Sequence, residues 1–140
     1  MSTDTIRQLL EERVQMEFPV YQPTVPVTFA NTRFDQSTGP WIYVVVIPNY
    51  TERAALANQS EFESCGIVNV TCMVPEMTGT KHIREIADAV AKVLLDRQIA
   101  IPGGGHITTY GLQNRERGVV SGWYTINVIV MYRARVRIVR

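Results

Sequence analysis

The spacing of hydrophobic positions changes several times along the chain, and each change marks an element. Ile6, Leu9, Leu10, Val14 and Phe18 recur three or four residues apart, which is the spacing of one helical face. Ser2, Thr3 and Asp4 supply capping oxygens ahead of them, and Pro19 is expected to end the helix. The stretch that follows holds Pro23, Pro26 and Pro40 and predicts little regular structure. Within it Val25, Val27 and Phe29 alternate, the pattern of a short edge strand, where proline is tolerated.

Residues 41–47, "WIYVVVI", are apolar at every position. Trp41, Tyr43, Val45 and Ile47 point one way and Ile42, Val44 and Val46 the other. That predicts a central strand covered on both sides, by helices or by a neighbouring subunit. Residues 49–64 turn polar and read as a long connection. In 66–74 the alternation returns, with Val68, Val70, Cys72 and Val74 opposite Asn69 and Thr71. A second helix is predicted from Thr80 to Arg97. Ile83, Ile86, Ala87, Val90 and Leu94 form its apolar face, and Lys81, Glu85, Asp88, Lys92 and Asp96 the charged one.

The triple glycine of "IPGGG" is expected to end that helix and turn the chain back. A hairpin follows: a strand at 106–113, a loop at 114–122 and a long strand from Trp123. In the last strand Tyr124 to Ile138 alternate with Thr125 to Arg137. A strand of that length must bend or overhang its own sheet, offering pairing groups to another chain. These elements predict an α+β fold. A mixed, mainly antiparallel β-sheet carries two α-helices packed on one face, in a single domain spanning residues 1–140.

Composition narrows the chemistry. A hydrophobic fraction of 46% and a charged fraction of 19% are those of a chain that builds a core. A formal net charge of +1 gives no bulk attraction to nucleic acid or an anionic membrane, so any charge-based role must come from local patches. The N-terminus lacks the greasy core of a signal peptide, and the longest apolar run is too short to span a bilayer as a helix. The expectation is a soluble protein made in a cytoplasm. Cys65 and Cys72 differ by an odd number of positions, which puts them on opposite faces of a strand and disfavours a bridge between them.

No reactive constellation emerges. Gly79, Thr80 and Lys81 lack the second glycine and the spacing of a phosphate-cradling loop, and Pro75 removes an amide donor, so Thr80 reads as a helix cap. Gly103 to Gly105 follow a helix, whereas a dinucleotide fingerprint lies between a strand and a helix. His82, Glu85, Asp88 and Glu76 fall close in sequence without a second cluster to complete a metal or acid–base site. Arg133, Arg135, Arg137 and Arg140 form the sharpest charge feature. They could meet DNA phosphates, pair with acids across a subunit interface, or stay solvated. Arg115, Glu116 and Arg117 mix signs, which favours protein contact over bare phosphate binding.

One family resemblance gathers these features. An amphipathic N-terminal helix precedes "VTFANTRFDQSTGPWIYVVVIP", a strand ending in Asn, a Pro/Phe-containing turn and a Trp-led strand. "CGIVNVTCMVPEMTGTKHIREIADAVAKVL" then supplies a Gly-led strand, a short turn and a helix. By this order of elements the chain resembles the tail terminator, or tail completion, proteins of long-tailed bacteriophages.

The resemblance implies a small subunit of a hexameric ring in the virion, assembled in the host cytoplasm. Such a ring caps the head-proximal end of the tail tube, ends its polymerisation and presents the surface for head-tail joining. Its implied partners are further copies of itself, the tail tube protein and a head-completion or connector protein. DNA passes through without sequence-specific binding, no membrane is involved, and no catalytic, cofactor or metal residues are implied. Asn31, Phe34, Pro40 and Trp41 fit the turn pattern. Glu52, Arg53, Arg115, Glu116 and Arg117, with Arg133, Arg135 and Arg137, are the candidate intersubunit or partner contacts. The alternatives are a small α/β ligand-binding domain or enzyme using His82, Glu85 and His106, or another connector or minor tail protein.

Overall fold

The computed structural model describes residues 3–30, 39–53 and 61–137. The elements run α1 (Thr3–Tyr21), β1 (Val27–Phe29), β2 (Trp41–Arg53), β3 (Glu61–Pro75), α2 (Lys81–Leu94), β4 (Gln98–Ala100), β5 (Gly105–Val120) and β6 (Trp123–Arg137). The strands form one sheet in the order β1-β2-β3-β6-β5-β4. Only β1 pairs in parallel with its neighbour, so the sheet is mixed and mainly antiparallel, and the fold is α+β.

Both helices lie on one face of this sheet. Ile6, Leu10, Val14 and Phe18 of α1 pack with Ile83, Ile86, Val90 and Leu94 of α2. Against them stand Ile42 and Val44 of β2, Val68, Val70 and Cys72 of β3, and Val128, Val130 and Tyr132 of β6. Each of these side chains is at most 2% exposed, so each contributes roughly 1.5–3 kcal/mol of burial relative to a solvated side chain. Thr109 of β5 is a fully buried polar member of the layer. Its hydroxyl donates to the Leu94 carbonyl at the end of α2 and accepts the Arg97 amide at 2.9 Å. The last turn of α2 is thereby tied to the sheet.

Several expectations change. Pro19 lies inside the last turn of α1, which runs on to Tyr21. A proline this late forfeits only its own amide, while the Gln22 amide still reaches the Phe18 carbonyl at 3.0 Å. Thr80 does occupy the N-cap of α2, but its side chain makes no capping bond. The helix stops at Leu94, and the glycines serve a different turn. Gln98–Ala100 form β4, and Gly103, Gly104 and Gly105, all at positive φ, carry the chain from β4 into β5.

Among the described residues, the two polar segments read as loops are largely strand. Tyr50 to Arg53 pair with Cys65 to Phe62, so β2 and β3 form a hairpin reaching well beyond the apolar run. Residues 114–120 continue β5, and the chain reverses at Ser121 and Gly122, with φ of 50° and 85°. Those are the positive values a two-residue hairpin turn requires. Nor does the long last strand overhang: β6 is paired along its length by β3 on one side and β5 on the other.

Gly66 marks a place of close packing in the sheet. A Cβ there would collide with the Ile47 carbonyl and lie 2.6 Å from the Tyr132 hydroxyl. Tyr132 is 1% exposed, so its ring fills the space a side chain at residue 66 would need.

Candidate assembly surface

Side chains alternate across a strand, so the residues between the core positions line the other side of the sheet. Among the described residues, no helix or strand covers that side. The register aligns its rows. Trp41, Met73 and Thr125 form one, Tyr43, Thr71 and Asn127 the next, then Val45, Asn69 and Ile129, then Ile47, Ile67 and Met131. Ile47 is 43% and Met131 41% exposed, against none for Val44 and Val130 on the core side of the same strands. The two-sided apolar run 41–47 therefore has its helices on one side only.

Trp41 and Trp123 meet edge to face at one end of this surface, with ring centroids 6.0 Å apart. They line a groove with Thr71, Met73, Thr125 and Asn127, and Arg117 borders it. In mid-face, the Asn69 and Asn127 side-chain carbonyl oxygens are buried with no hydrogen-bond partner among the described residues. A second groove at the far end is bordered by Ile47, Pro48, Ile67, Tyr110, Met131 and Arg133.

The arginine row stands at that far end. Arg133 and Arg135 both reach Glu63 of β3, each at 3.5 Å, and the Arg133 guanidinium lies 5.9 Å from the centre of the Tyr110 ring. The Cys65 thiol also faces Glu63, with its sulfur 3.9 Å from the carboxylate. A hydrogen bond with Cys65, followed by the charges of Tyr110 and Glu63, raises the Arg133 pKa, so this group stays cationic. Neither a phosphate nor a second subunit is needed to pair these arginines, since Glu63 meets both within the chain.

The candidate contact residues divide by position. In the register, Glu52 stands opposite Glu63, which stands opposite Arg135, so these three share one row across β2, β3 and β6. Arg53 lies in the next row, opposite Phe62, and Arg137 is opposite Glu61. Arg115 is opposite Asn127, on the open side. Glu116 points to the helical side, where it takes the Arg84 guanidinium of α2 at 2.5 Å and the Tyr124 hydroxyl at 3.4 Å. Arg140, Asn31 and Phe34 lie outside the described residues.

Glu63 and Tyr110 are not among the sequence-based candidates, and Cys65 enters there only as a thiol unable to bridge to Cys72. Glu63 falls in the segment that reads as a connection, where only Phe62 interrupts the polar run 59–64. The two cysteines lie on opposite sides of β3 as expected, and burial pushes the Cys72 thiol up to about 12.

The histidines do not converge. His82 is on the first turn of α2, close after the end of β3 that pairs with Trp123, whereas His106 pairs with Arg135 near the other end of β6. Both are exposed. No group of three or more His, Cys, Asp or Glu side chains able to hold a metal occurs among the described residues. No helix among them is long and apolar enough to cross a membrane.

Residues 5–132 match the family model described as phage tail terminator protein. The chain belongs to the phage tail terminator family. It is thus a structural component of a phage-type tail. The solved structures agree in fold. One is 21% identical, with 96% of each chain covered and a TM-score of 0.75. Another, a chain from the virion of a native gene transfer agent particle, is 12% identical with a TM-score of 0.60. Its match covers 93% of this chain and 92% of that one. No curated protein matches the sequence.

Proposed function

We propose that this tail terminator acts as one domain that assembles into a ring, of six copies by the family pattern, at the head-proximal end of the tail tube. The ring ends tube polymerisation and presents the surface that a head-completion or connector protein joins. DNA passes through its opening without sequence-specific contacts. The chain supplies shape and mating surfaces and makes or breaks no bond. The observation that carries this reading is the family match across residues 5–132. The open sheet side supports it, since a broad apolar face suits a protein neighbour better than a small substrate.

The test is genetic. Particles made without this chain should carry overlong tails that lack attached heads. Tails of normal length, joined to filled heads, would refute the reading.

A further inference from the structure

We infer that the open side of the sheet in one copy seats on the outward stripe of α1 in the next copy. The inference rests on the ring reading and adds which two surfaces mate. A ring needs a head-to-tail contact, in which two different patches of the same chain meet. The open face and the outer side of α1 lie on opposite sides of the molecule, so neither can satisfy the other within one copy.

Their chemistry is complementary. On the open face Arg133 and Arg135 share the one carboxylate of Glu63, and Arg115 and Arg117 add two further positive charges beside it, so the face keeps a positive excess among the described side chains. On α1, Asp4 and Glu11 both pair with Arg7 and Glu17 pairs with Arg13, so with Glu12 the helix keeps an excess of acids, four against two arginines. Both patches also hold apolar surface. Glu12, Met16 and Val20 fall four residues apart on the side of α1 away from the core, and Met16 and Val20 are 76% and 75% exposed. Such a stripe fits the shallow apolar rows around Ile47 and Met131. The partnerless Asn69 and Asn127 oxygens lie in the middle of the face, where the amides of Gln8 and Gln15 on the same helix could supply donors.

The rival contact, strand to strand at the sheet edges, is disfavoured by the edges themselves. Beyond Val44 the outer edge of β2 has no neighbouring strand among the described residues, and the same holds for β5 beyond Thr109. The free part of β2 contains Pro48 and a break in register, and that of β5 contains two register breaks, near Gly111 and Gly118. Proline and bulges are the devices by which exposed edges resist pairing.

The test uses two charge-reversed full-length chains, Arg115→Glu/Arg117→Glu and Glu12→Arg/Glu17→Arg, each checked for a wild-type melting curve. Assembly is followed by sedimentation velocity and native mass spectrometry, with and without tail tubes. Under conditions where the wild type forms rings, each variant alone should assemble at least tenfold more weakly. An equimolar mixture should form rings in which the two alternate, because each reversed face then meets an opposite charge. Rings from either variant alone at wild-type concentration would overturn the inference, as would a mixture that stays unassembled. So would an Arg115→Glu/Arg117→Glu chain that assembles normally but loses binding to duplex DNA, which would reassign the face to nucleic acid. A wild type that never assembles, even on tubes, would sink the ring reading itself and is distinguishable from these results.

Discussion

Thr109 offers a sharp probe of how the helical layer is fixed to the sheet. Its hydroxyl lies between the Leu94 carbonyl, at the end of α2, and the Arg97 amide at 2.9 Å, and the residue is fully buried. Thr109→Val keeps the shape and removes both bonds. A backbone group left unpaired in a fully buried setting, as the Leu94 carbonyl would be, costs about 1–3 kcal/mol, and the part-buried Arg97 amide about 1 kcal/mol, so the two give roughly 2–4 kcal/mol. The added methyl returns at most about 0.8 kcal/mol of burial. The net expectation is a loss of about 2–3 kcal/mol. With a urea slope of about 2 kcal/mol per molar, the unfolding midpoint falls by about 1–1.5 M. Thr109→Ser keeps the hydroxyl and loses one methyl, so its cost should stay near 1 kcal/mol. Urea melts followed by circular dichroism decide the matter. A valine variant as stable as the serine variant would refute the claim that these hydrogen bonds, rather than packing alone, hold the end of α2.

Three further outcomes follow from the packing and the charges. Gly66→Ala should destabilise by about 1–3 kcal/mol in the same melts, because the Tyr132 hydroxyl and the Ile47 carbonyl occupy the space its methyl needs; an unchanged midpoint would contradict that crowding. Burial raises the Cys72 thiol from its ordinary 9.0 to about 12, so its contribution is complete below pH 9 and is lost as pH climbs towards 12. Over that window stability should fall by about 1.4 kcal/mol per pH unit, and Cys72→Val should flatten the fall; an equally steep slope in the variant would assign it to other groups. The Arg84–Glu116 pair has exposed partners at 58% and 41%, so a double-mutant cycle should give a coupling of only about 0.2–1 kcal/mol that fades with added salt.

The sequence was most readable where one side of an element meets the core. The faces of α1 and α2 and the alternation in β3 and β6 match the buried residues, because burial enforces the period. It was least readable where strands leave the helical layer. Residues 50–53, 61–64 and 114–120 are mostly polar in sequence, and Gly111 and Gly118 shift the register of β5 in mid-strand. Alternation that is interrupted by bulges and lacks an apolar side resembles a loop. β4, at three residues, is too short to express any period. The arginine row was visible, but its partner was not. Pairing Arg133 and Arg135 with Glu63 depends on the β3–β6 register, which sequence spacing does not encode.

The central claim is that this chain stops tube growth by capping one end. The direct measurement adds purified protein to polymerising tail tube protein and records tube lengths by electron microscopy. The account predicts that elongation halts as the protein is added and that a ring of extra density appears at one end of each tube. Tubes that keep growing at an unchanged rate, with bare ends and with the added protein left free in solution, would contradict it.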